Sequence, residues 1–166
     1  MGYSVKHVIE TDVDGLWRLF FDVELAREMI KSFGSFGSFD VVEERKDELG
    51  RLHRRIECSS NIELPGFITK LVGDGSYTEI GCFDRAANKY SAQCIPKRGA
   101  DKFSTSFEVT AHPLEGGVRC ERHITTENVV KVFGIGGMLQ GLIEKTQRDA
   151  HEQSATFINA WLRSKA

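Results

Sequence analysis

The stretch Met138–Leu162 constrains the fold of this chain more than any other. Its apolar and small residues are Met138, Leu139, Leu142, Ile143, Thr146, Ala150, Ser154, Phe157, Ile158, Trp161 and Leu162, the i, i+3, i+4, i+7 spacing of one helical face. The opposite side carries Glu144, Lys145, Arg148, Asp149 and Glu152. Glu144/Arg148, Lys145/Asp149 and Arg148/Glu152 are neighbours across one turn, each pair contributing about 0.3 kcal/mol. At about 1.5 Å per residue such a helix is roughly 37 Å long, so it needs an equally long surface to lie against. Large apolar residues close both ends of its inner face. The centre offers Thr146, Gln147, Ala150 and Ser154, too small or too polar to fill a tight core. Two arrangements fit that profile: a helix covering a cavity, or a helix whose middle meets a bulky partner.

The rest of the chain supplies the surface. Tyr3, Val5, His7 and Ile9 alternate with Ser4, Lys6, Val8 and Glu10, the period-two pattern of a strand. Thr11 and Asp12 then cap a helix with Val13, Leu16, Trp17, Phe20 and Phe21 on one face, and a second short helix places Leu25, Met29 and Ile30 inward and ends at Ser32 to Gly34. The run Phe33 to Phe39 reads as a loop. Strands are predicted at 39–46, 51–60, 76–84, 88–96, 102–112 and 117–128, with short turn-like links between most of them, the mark of an antiparallel meander. One insertion interrupts it: Leu64-Pro65-Gly66 turns the chain, and Phe67, Ile68, Leu71 and Val72 form a short amphipathic, lid-like helix. The order β-α-α-β-β-β-β-β-β-α defines an α+β chain. A curved seven-stranded antiparallel sheet wrapped around the long C-terminal helix satisfies every apolar face.

Composition sets the class. A length of 166 residues fits one domain, spanning 1–166, with a substantial core, and 22 basic against 24 acidic residues leave a formal charge of -2, which gives no footprint of nucleic-acid binding. Cys58, Cys82, Cys94 and Cys120 are isolated, without a CxxC, and read as reduced thiols of a cytoplasmic protein, two disulfides being the alternative. MGYSVKHVIE is neither a signal peptide nor a membrane anchor, and no run approaches the 18 or more apolar residues of a span.

Two stretches carry a resemblance to a known group: Leu64-Pro-Gly-Phe-Ile-Thr-Lys-Leu-Val-Gly73, and Gly136-Gly137 running into Leu142-Ile-Glu-Lys145 and on to Trp161-Leu162. With the element order, they resemble the START-like or Bet v 1-like (SRPBCC) helix-grip superfamily, and more closely its DUF2505 family of uncharacterised bacterial proteins. The resemblance implies a helix-grip fold and a cavity for a hydrophobic ligand, with no activity to carry over.

Chemistry is sparse. His7, His53, His112, His123 and His151 form no metal-ligand spacing, no GxSxG is present, and the glycines of Gly134 to Gly141 lack both GxGxxG register and a Walker lysine, so no metal or cofactor is expected. Those glycines suit a tight bend into the helix. Strand phase puts Arg54 and Arg122 on inner faces. Each then needs Glu43, placed beside Phe39 and Val41, or a ligand's anionic group, unless it reaches water near the sheet's end. Arg45, Lys46, Arg51, His53, Arg54 and Arg55 form a basic hairpin that either touches anionic membrane transiently or is merely solvated.

The leading expectation is a carrier or sequestering protein for a small hydrophobic or amphipathic, lipid-like molecule. Its ligand contacts are expected at Phe107, Val109, Arg122, Ile124, Thr146, Gln147, Ala150, Ser154 and Phe157, with Phe67 and Leu71 on the lid, which spans Leu64 to Val72. The alternatives are an enzyme similar to polyketide cyclases and aromatases, with acid or base drawn from Glu43, Tyr77, Glu79 and Tyr90, and an interaction module without ligand.

Overall fold

The computed structural model describes residues 2–34, 36–60 and 64–166. It runs β1 (Gly2–Ile9), α1 (Val13–Phe20), α2 (Val23–Phe33), β2 (Phe36–Lys46), β3 (Leu52–Ser60), α3 (Gly66–Val72), β4 (Tyr77–Asp84), β5 (Lys89–Pro96), β6 (Phe103–Pro113), β7 (Cys120–Val130) and α4 (Gly136–Lys165). The strands form one curved sheet in the order β1-β7-β6-β5-β4-β3-β2, every neighbouring pair antiparallel. Because β1 and β2 are opposite edges, α1 and α2 have to bridge the whole width of the sheet.

Local chemistry fixes that bridge. Asp12 accepts the Gly15 amide proton at 2.7 Å and Asp22 accepts that of Leu25 at 3.0 Å, so each helix starts on an aspartate cap. Gly34 ends α2 at φ 67°, a left-handed position that glycine reaches without a Cβ penalty. The long α4 lies along β1 and β7 and touches α2.

The interior has two apolar ends. At one, Ile9, Leu16, Trp17, Tyr90, Val109, Ile124, Ala155 and Ile158 pack together; at the other, Ile68 of α3, Phe103 and Leu139 do so, with Leu71 and Ile143 beside them. A polar belt separates them. Asn128 and Gln147 exchange two amide hydrogen bonds, at 2.8 and 3.0 Å, while Tyr3 donates to Gln147 and Thr105 to Asn128.

The structure departs from the sequence pattern in four places. β2 begins at Phe36, inside the run expected to be a loop, of which Ser35 lies outside the described residues. β7 begins at Cys120, which leaves Val118 outside the strand and 71% exposed. A register shift between Val41 and Glu43 moves Glu43 opposite outward-facing Arg55, so it leaves the face it would otherwise share with Val41. The inner face of α4 runs through Leu139, Ile143, Gln147, His151, Ser154, Ala155 and Ile158, while Met138 and Leu142 are exposed. A 30-residue helix offers several candidate stripes, and only contact with β1 and β7 selects among them.

Leu139, 2% exposed, anchors α4 in the α3-side cluster. Leu139→Ala should lower unfolding free energy by about 2–5 kcal/mol in urea titration, and an unchanged midpoint would contradict this packing.

Candidate functional site

The concave face is not uniformly covered. Phe39, Val41, Tyr77, Cys94, Thr105 and Phe107 point inward from four strands, yet each keeps accessible surface. Two of them are nevertheless deep: burial pushes the Tyr77 phenol and the Cys94 thiol well above their ordinary pKa. Side chains at that depth would be sealed in a filled core. Here they keep accessible surface on the concave face, where α4 packs chiefly on β1 and β7. The inward faces of α2 and α4 contribute Met29, Gln147, Ala150 and Phe157, all half-buried.

Three buried polar groups stand beside them on β3, β4 and β5. Arg54 is 5% exposed, and its guanidinium carbon lies 5.2, 4.9 and 5.0 Å from the ring centres of Phe20, Phe21 and Tyr90, a box of three aromatic faces. Its Nε donates to Tyr90 Oη at 3.1 Å, and Tyr90 Oη donates to Glu79 Oε2 at 2.6 Å. Burial raises the Glu79 pKa, while the Tyr90 hydrogen bond and the Arg54 charge oppose the rise. Gly81 makes the chain of contacts possible. It faces Ala92 across the ladder, and a Cβ there would occupy the space of the Tyr90 hydroxyl.

A second polar group clasps the helix. Arg122 Nη2 lies 3.1 Å from the His151 carbonyl oxygen, 3.0 Å from Ser154 Oγ and 3.1 Å from His7 Nδ1. Because arginine only donates, His7 Nδ1 accepts, and His7 Nε2–H donates to Glu152 Oε1 at 2.8 Å. Burial brings the Arg122 pKa down to about 10, and burial with the Arg122 charge brings His151 down to about 4.

The expected ligand contacts divide accordingly. Phe107, Ala150 and Phe157 are half-buried on the concave face and the inner side of α4, and Leu71 is half-buried on α3. Val109 and Ile124 are sealed in the apolar end. Gln147 is engaged by Asn128 and Tyr3, and Ser154 and Arg122 bind each other, so these three join helix to sheet. Thr146 is exposed, its hydroxyl donating to the Leu142 carbonyl, because the buried stripe of α4 passes one position away through Gln147. Phe67 is 49% exposed, since α3 turns Ile68 toward the core instead. Neither Arg54 nor Arg122 reaches solvent at a sheet end, and Glu43 serves neither. Tyr77, Glu79 and Tyr90, named as candidate acids or bases, do come together around β4 and β5. His7 and His151 carry no pattern that marks them, because their partners lie across the whole chain.

Elsewhere the surface is less specific. In the basic hairpin Arg51 and His53 both lie 2.8 Å from Asp47 Oδ2 and Arg55 pairs with Glu57, while Arg54 turns inward. An open groove of about 460 Å³ crosses the convex face near Ile80, Gln93, Ser106 and Thr125, too shallow to enclose a molecule. Among the described residues no group of three or more His, Cys, Asp or Glu could hold a metal ion, and no helix is long and apolar enough to cross a membrane.

A curved antiparallel sheet gripping one long C-terminal helix is the helix-grip fold. Residues 4–162 match the family model described as "Protein of unknown function (DUF2505)", and the chain belongs to that family. Among solved structures, TTHA0849 from Thermus thermophilus is similar at TM-score 0.69 and 16% identity, covering 100% of this chain and 99% of the other. Norcoclaurine synthase from Thalictrum flavum, in complex with dopamine and hydroxybenzaldehyde, matches at TM-score 0.66 and 16% identity over 100% of this chain and 89% of its own. A START superfamily protein from Mycobacterium smegmatis matches at 0.64 and 14% over 99% of each chain. No curated protein matches the sequence.

Two outcomes follow from this geometry. Gly81→Ala forces Tyr90 off Glu79, and thermal unfolding should show a loss of about 1–3 kcal/mol; wild-type stability would contradict the close approach. His151 binds its proton more weakly folded than unfolded, so its contribution is complete above about pH 6.5 and is lost as pH falls toward about 4. Urea titrations across that window should show a shallower pH slope for His151→Asn than for wild type, and equal slopes would contradict the shift.

Proposed function

We propose that this protein binds, and thereby sequesters or carries, a small hydrophobic or amphipathic molecule in the cleft between the concave face and the helices. One observation carries the reading: inward-facing Phe107, Cys94, Tyr77 and Val41 keep accessible surface at a depth where a filled core would seal them. Apolar rings and thiols border most of this space, and the buried polar groups Glu79, Tyr90 and Arg54 at its edge orient what enters. The segment Leu64 to Val72 acts as the lid. Its short α3 has no side-chain cap and holds to the rest mainly through Ile68, so it can move without disturbing the opposite apolar end. A fold shared with norcoclaurine synthase, solved with two small aromatic molecules, supports a ligand in this place. The free thiols of Cys58, Cys82, Cys94 and Cys120 suit the reducing cytoplasm, and the formal charge of -2 disfavours nucleic acid as a partner.

A second reading rests on a specific feature. Glu79 is a buried carboxylate with raised pKa, hydrogen-bonded to a tyrosine, an acid–base pair of the kind a cyclase-like enzyme would use on a hydrophobic substrate. Turnover of the bound molecule, absent in Glu79→Gln, would favour it.

Native mass spectrometry of protein purified without detergent, followed by organic extraction, is the direct test. A retained apolar molecule is the expected result. Cys94→Trp, which fills the cleft from the middle strand, should abolish that retention while preserving a cooperative thermal transition. An apo mass together with no thermal shift across a lipid panel would overturn the proposal, since ligand at about 100 times its dissociation constant stabilises by about 2.7 kcal/mol.

A further inference from the structure

Glu79 is 9% exposed and stands on β4 between Ile56 of β3 and Cys94 of β5. Only one of its oxygens is engaged. Tyr90 donates to Oε2 at 2.6 Å, and no donor among the described residues reaches Oε1. That oxygen is open to a hydrogen bond, and a ligand group that donates to it would make a charge-assisted contact.

The charges around it narrow the donor. Arg54 already fills the box of Phe20, Phe21 and Tyr90, the kind of aromatic enclosure that would otherwise receive an ammonium head group. Arg54 and Glu79, linked through the Tyr90 hydroxyl, balance each other. A ligand carboxylate would add a second anion beside Glu79, and an ammonium a second cation beside Arg54. Either would leave an uncompensated charge in a desolvated site. A hydroxyl donates one charge-assisted hydrogen bond and changes no charge.

Resting on the reading that the cleft holds a hydrophobic cargo, we infer that the cargo is a neutral alcohol or phenol, an apolar body carrying one hydroxyl that donates to Glu79 Oε1. The apolar body lies against Phe107 and Cys94, toward the middle of the sheet. Arg54 acts as a positioning residue: it holds Tyr90, which in turn orients the carboxylate.

The test uses the full chain, the neutral fluorescent probe N-phenyl-1-naphthylamine, and three competitors of one chain length: decanol, decanoate and decylamine. Wild type should take up the probe at neutral pH and release it to decanol at a concentration about tenfold lower than to either charged analogue. In Glu79→Gln, which keeps an acceptor for Tyr90, decanoate should approach decanol to within about threefold. Probe uptake with decanoate or decylamine equal to or stronger than decanol in wild type would overturn the hydroxyl assignment and leave cargo binding standing. No probe uptake and no competition by any chain would remove cargo binding, and the assignment with it. Because the wild-type series decides the outcome alone, misfolding of the variant cannot rescue the inference.

Discussion

The Arg54 guanidinium, enclosed by Phe20, Phe21 and Tyr90, is the contact on which the arrangement depends. It joins the end of α1 and the residue after it to β3 and β5, so the helices that bridge the two sheet edges are tied to the sheet's middle through one cation. A buried arginine is tolerated only with compensation, and here three aromatic faces and the Tyr90–Glu79 chain supply it. The same requirement keeps a carboxylate inside the sheet's concavity. Loss of either charge would leave the other uncompensated, at a cost of about 3–5 kcal/mol.

The polar contacts of the long helix gather along β1 and β7. Arg122 binds the His151 carbonyl and Ser154, Gln147 pairs with Asn128, and His7 bonds Glu152, all joining α4 to β1 and β7. Directional polar contacts fix the helix where they occur, whereas apolar packing alone would let it slide toward the sheet's middle. The main contacts of the helix are accordingly with β1 and β7 rather than with β3 to β5. The proposed cleft lies on the side away from this clasp.

Much of this was readable in the residues. Period-two alternation placed the strands, and Asp12 before Val13 marked the start of the first helix. The inward phase of Arg54 and Arg122 was also legible. Their partners were not, because each lies on another strand whose register no local pattern specifies. The extra residue at Val42 reversed the phase of Glu43, and nothing in the run Asp40 to Glu44 announces a bulge. Thr146 and Gln147 differ by one position on a helix, and tertiary contact alone decided which faced inward. Gly81 read as one more strand residue until the Tyr90 ring was seen to need its missing Cβ.

Whether the grip encloses apolar space that its own side chains leave unfilled is decided most directly by a crystal of the protein under xenon pressure. Xenon enters apolar cavities and makes few demands on ligand chemistry. Xenon density between α4 and the sheet, against Phe107, Cys94 and Tyr77, is the predicted result. Xenon confined to the convex face or absent, with those three side chains packed directly onto the helix, would contradict it.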